Sequence, residues 1–144
     1  MILENAEATA AFGAKLAKVA RIGDVITLSG PLGVGKTELA RGFLERLGHK
    51  EEVPSPSFAI VQPYDRLQLP VWHVDLYRIE TPQEMEELGL DAALDAVMLV
   101  EWPERAGEQA WPGALALSLD FAQDGDRILT AKVPPSWEGR CPLQ

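Results

Sequence analysis

The chain has 144 residues, 47% of them apolar, and a formal net charge of -9. That size supports one domain with a single core, and the acidic excess disfavours tight direct binding to nucleic acid, which depends on clustered Lys and Arg displacing counterions. The lone cysteine, Cys141, leaves no disulfide framework or cysteine-rich metal site and points to a reducing, cytoplasmic setting. No apolar run approaches the length that spans a bilayer, and the first residues lack the blocks of a signal peptide, so no membrane association is expected.

In chain order, Ala8, Phe12, Leu16 and Val19 recur at helical spacing between Asn5, a cap residue, and Gly23, which predicts an opening amphipathic helix. Val25-Ile26-Thr27-Leu28 reads as a buried strand feeding a glycine-rich stretch, and a helix is expected over 37–47 with Gly48 as its stop. Further strands are expected over 58–61, 71–74 and 97–100. Between the last two, residues 82–89 carry proline at a helix start, acids in the first turns and glycine at the end. Alternation over 114–119 and 127–133, around the turn Gln123-Asp124-Gly125-Asp126, predicts a hairpin, and the proline-rich residues 134–144 read as a loose tail. The expected fold class is α/β: one domain over 1–133 with a sheet flanked by helices and closed by a C-terminal β-hairpin.

Gly30-Pro31-Leu32-Gly33-Val34-Gly35-Lys36-Thr37 satisfies G-x-x-x-x-G-K-S/T between an apolar strand and a helix, where the motif's mechanics require it. Glycines there let successive N–H groups converge on phosphate oxygens at the positive end of the helix. Gly30, Gly33, Val34, Gly35, Lys36 and Thr37 are therefore expected to bind ATP, with Lys36 reaching the β and γ phosphates and the Thr37 hydroxyl placed for a magnesium ion. A turn that merely joins strand to helix would explain neither Lys36 nor Thr37, so the sheet is expected to be like that of P-loop NTPases. Two apolar segments end in a carboxylate, Asp75 after Val71-Trp72-His73-Val74 and Glu101 after Val97-Met98-Leu99-Val100. Either could serve as the acid on the metal side, since ligands of open α/β sheets gather at carboxyl ends of strands. His73 reads as a packed or capped imidazole with no assigned role. Asn5 is the sole asparagine, so the guanine reader Asn-Lys-x-Asp is absent and ATP is favoured.

Four segments together are more specific than the loop: residues 30–37 with Arg41-Gly42-Phe43, Ser55-Pro56-Ser57-Phe58, His73-Val74-Asp75-Leu76-Tyr77-Arg78, and Val100-Glu101-Trp102-Pro103. Over about residues 9–103 the chain resembles the TsaE (YjeE) family, small bacterial ATPases required for N6-threonylcarbamoyladenosine at position 37 of tRNA. The resemblance implies that Thr37 and Glu101 hold Mg2+, directly or through water, and that Asp75 acts beside the γ-phosphate. It implies further ATP contacts from Ser57, where the family usually has Thr, and from Trp102, and it places Ala6 and Gly125 on the adenine side. It also implies slow Mg-dependent ATP hydrolysis that switches a complex with TsaD and TsaB, with tRNA held mainly by those partners. Pro31 and Glu38 depart from the Asp and Thr common in the family, and the added charge of Glu38 is expected to weaken nucleotide affinity. Two rival readings are an ATP-sensing interaction module without significant hydrolysis and a small-molecule kinase. The kinase would need an arginine-bearing lid, and the insert 62–70 carries only Arg66.

Overall fold

The computed structural model describes residues 1–53, 60–107 and 110–143. Among them, seven strands form one mixed sheet: β1 (Ile2–Leu3), β2 (Val25–Ser29), β3 (Val61–Tyr64), β4 (Val71–Asp75), β5 (Val97–Glu101), β6 (Leu115–Phe121) and β7 (Arg127–Lys132), in the order β1-β7-β6-β2-β5-β4-β3. The β-branched run of β2 lies at the centre, parallel to both β5 and β6, and β4 runs parallel to β5. β6 and β7 form the expected hairpin, with Leu119 opposite Leu129.

Alternation along the strands sends Ile26, Leu28, Leu99, Leu115, Leu117 and Leu129 into one core. The helices α1 (Ala6–Val19) and α2 (Lys36–Arg46) cover it. Asn5 starts α1 by accepting the Ala8 amide at 2.8 Å, which satisfies one of the donors a helix start leaves open. Phe12 and Leu16 then point into the core, as their spacing predicts. Gly13 and Gly42 let the two helices touch backbone to backbone: a Cβ on Gly42 would lie 2.6 Å from the Ala10 carbonyl carbon, and one on Gly13 would lie 3.0 Å from the Phe43 nitrogen. On the other face, Val74, Met98 and Val100 form a second cluster with Met85 of α3 (Pro82–Glu87). No helix among the described residues is long and apolar enough to cross a membrane.

Three expectations need correction. β1 was not anticipated, because a two-residue strand carries no periodicity; Ile2 pairs with Ile128 and Leu3 with Arg127. The strand expected over 58–61 meets the described residues only at its end, and pairing with β4 carries β3 from Val61 through Tyr64 into the supposed insert. Pro63 is tolerated there because β3 is the sheet's last strand. Residues 134–143, expected to be loose, pack instead: Trp137 is 1% exposed and Cys141 is buried. The Arg140 guanidinium stacks 3.8 Å from the Trp137 ring centroid, donates to Val19 O at 2.7 Å and grips both carboxylate oxygens of Asp24 at 2.7 and 2.8 Å. This bidentate pair is largely shielded from water, so Arg140→Ala is expected to lower unfolding stability by about 2 kcal/mol, read as a lower urea midpoint with an unchanged slope.

Candidate functional site

The glycine loop leaves β2 at its carboxyl end and enters α2 at Lys36. Gly30 has φ 146°, and any side chain on it would strike the carbonyl oxygen of Leu119 in β6, so only glycine fits. Gly35, at φ 119°, turns the chain into the helix. Val34 is fully buried and anchors the loop to the core. This contact with the core explains why a loop rich in glycine is held in one shape.

Lys36 is the first residue of α2 and is mostly buried. Its ammonium donates to the Gly30 carbonyl at 2.6 Å and stands 3.5 Å above the Trp102 ring centroid. Burial pushes the Lys36 pKa below its ordinary value, and the carboxylates of Glu101, Glu104 and Asp75 pull it back up in part. Trp102 follows β5 in a left-handed conformation, φ 60° and ψ 49°, which is uncommon for a bulky residue and turns the chain sharply beside the loop. Its ring also lies 4.8 Å from that of Tyr77.

Asp75 and Glu101 are direct register partners at the carboxyl ends of β4 and β5. They are only 4% and 3% exposed, although charged side chains are rarely so buried without partners. Asp75 accepts the Tyr77 amide at 2.9 Å. Glu101 meets the Nε2 of His73 at 2.7 Å, and His73 has no exposed surface. Sequence reasoning left His73 without a role; the signal was its place two residues before Asp75, on the same face of one strand, with Glu101 on the neighbouring strand. Its ring orients the carboxylate of Glu101.

A cavity of about 90 Å3 opens where these parts meet, with Gly33, Gly35, Lys36 and Thr37 on the loop side and Asp75, Glu101 and Trp102 on the strand side. Glu38 lines it as well. Gly30 joins through its carbonyl and Val34 from beneath. Ala6 begins α1 and Gly125 sits in the turn before β7; neither lines this cavity. Ser57 and the rest of the switch-like loop, 55–58, lie outside the described residues.

Two buried carboxylates and a threonine hydroxyl are hard oxygen donors, which suits Mg2+. Among the described residues no group of three or more His, Cys, Asp or Glu could by itself hold a metal ion. A larger groove of about 840 Å3 lies on the opposite face of β2, β6 and β7, floored by Thr27, Ser29, Ala116, Ser118 and Thr130. Asp75, Glu101 and Lys36 do not line it, so volume is not what marks the site.

A glycine loop between the central parallel strand and a helix, with acids at neighbouring strand ends, places the chain in the P-loop-like α/β class. The crystal structure of YdiB from Bacillus subtilis superposes with a TM-score of 0.82 and 35% identity, covering 98% of this chain and 89% of that one. Residues 3–129 match the family model described as "Threonylcarbamoyl adenosine biosynthesis protein TsaE". Two relatives, each described as "tRNA threonylcarbamoyladenosine biosynthesis protein TsaE", are similar over most of their length. That of Bacillus subtilis is 41% identical over 88% of this chain and 80% of its own. That of Streptomyces coelicolor is 45% identical over 76% of this chain and 77% of its own. The chain belongs to the TsaE family of tRNA threonylcarbamoyladenosine biosynthesis proteins.

Proposed function

We propose that the chain is a cytoplasmic ATPase that binds Mg-ATP at the glycine loop, hydrolyses it slowly and thereby switches a complex of TsaD and TsaB that makes N6-threonylcarbamoyladenosine at position 37 of tRNA. The observation that carries this reading is the pairing of two buried carboxylates, Asp75 and Glu101, at strand ends beside Lys36 and Thr37. Phosphoryl transfer needs little covalent help from a protein; positioning and fixed charge supply most of the rate. Amides of the loop from Gly30 to Gly35 hold phosphate oxygens, and Lys36 places positive charge on the β and γ phosphates. Thr37 and Glu101 hold the magnesium ion, with the imidazole of His73 keeping the Glu101 carboxylate in one orientation. An ion held by Thr37 and Glu101 would supply positive charge against the phosphate oxygens. Asp75 orients the attacking water, and Ser57 and Trp102 add contacts to the nucleotide.

The acidic surface supports a division of labour in which partners hold the tRNA while this subunit docks on them and reports nucleotide state. In cells depleted of this chain, tRNA N6-threonylcarbamoyladenosine measured by mass spectrometry of digested tRNA is expected to fall as the protein disappears. Undiminished levels after full depletion would contradict the role.

A further inference from the structure

A β-branched residue with positive φ is rare, because its side chain then crowds its own backbone. Among the described residues, the non-glycine residues in the left-handed region are Ile60 at φ 65°, Trp102 at 60° and Asp124 at 58°. Asp124 lies in the turn before β7, where a short polar side chain tolerates that conformation. The two bulky residues each adjoin an acid of the site. Trp102 directly follows Glu101, and the Ile60 carbonyl accepts the Asp75 amide at 2.7 Å.

Ile60 stands one step beyond the last register pair of β3 and β4, Val61 opposite Val74. A strand end without a role would take extended backbone there, which any residue adopts. Instead the ladder closes on Asp75 through a strained conformation, and the Ile60 side chain packs against the cluster that holds Val74 and Leu76. The bond is the first of three in succession along the carboxyl ends of the strands. Leu76 N donates to Glu101 O at 3.0 Å, and Trp102 N donates to Leu28 O at 3.2 Å, two residues before Gly30. The Asp75 carboxylate is held separately by the Tyr77 amide.

We infer that Ile60 is a positioning residue for Asp75: its left-handed backbone presents the carbonyl that fixes the point from which the carboxylate reaches the attacking water. The inference rests on the hydrolysis reading above, in which Asp75 orients that water.

Proline at this position tests it, because the ring holds φ at about −65° and denies the left-handed turn, whereas asparagine enters that region readily. With TsaD and TsaB present, Ile60→Pro is expected to lower turnover of radiolabelled Mg-ATP roughly 10- to 100-fold, while ATP affinity by titration calorimetry stays within about twofold. Ile60→Asn is expected to keep most of the turnover. Arg140→Ala, which loosens the chain at the amino end of β2 through Asp24, is the control expected to retain turnover per folded molecule. Where Ile60→Pro does not fold, hydrogen exchange of the wild-type Asp75 amide decides: exchange as slow as inside β4 is expected, and exchange as fast as in an open chain overturns the inference. Undiminished turnover in Ile60→Pro, an equal fall in its affinity and turnover, or an equal loss in Ile60→Asn also overturns it while the hydrolysis reading stands. A wild-type chain that binds ATP and never hydrolyses it overturns both.

Discussion

Gly42→Ala is expected to cost more than about 3 kcal/mol of folding stability, because one methyl group there meets backbone and not a side chain that can swing aside. A Cβ on Gly42 would lie 2.6 Å from the Ala10 carbonyl carbon and 2.7 Å from its Cα, with the carbonyl oxygen closer still. The facing contact, from Gly13 onto Leu39, is of the same kind, so α2 cannot slide off one clash without entering the other. Close-packed interiors answer such insertions by moving whole elements. Here the element that moves carries Lys36 and Thr37 at its first turn. Urea unfolding measures the loss, and Gly113→Ala, with nothing within 4 Å of the added methyl, is the control expected to stay within about 0.5 kcal/mol. A Gly42→Ala protein as stable as the control would show that the two helices are not held backbone to backbone.

Lys36→Ala is expected to lower ATP turnover at least about 100-fold, the scale found when one fixed charge or donor is taken from a developing anion. The same substitution is expected to change stability by less than about 1 kcal/mol. Its charge is partly desolvated and its pKa pushed down, so the folded protein gains little from the cation; the group is placed for a ligand. A large activity loss with a small stability change separates a ligand-binding cation from a structural one. Turnover unaffected by Lys36→Ala would remove the loop from the chemistry.

Much of the site was legible because its parts are local in sequence. The loop, the strand before it and the helix after it occupy one continuous stretch, and Asp75 and Glu101 each end an apolar run. Their being register partners was not legible, since parallel pairing of β4 and β5 across the intervening α3 leaves no mark on either strand alone. The contact between His73 and Glu101 follows from that register and was missed with it. Proline content suggested a loose tail, yet the buried Trp137 and Cys141 and the Arg140–Asp24 pair hold that segment down. Glycines 13 and 42 gave no positional signal, because a glycine within a helical pattern reads as a weakness until the neighbouring backbone is seen.

The central claim, that the loop and the two strand-end acids form a switch driven by ATP hydrolysis, is tested most directly by turnover of radiolabelled Mg-ATP with and without TsaD and TsaB. The wild-type chain is expected to hydrolyse ATP slowly alone and faster with the partners, and Lys36→Ala, Asp75→Ala and Glu101→Ala are expected to lose that stimulated activity. ATP that binds the wild-type chain yet stays intact with both partners present would contradict hydrolysis and leave a nucleotide-sensing module in its place.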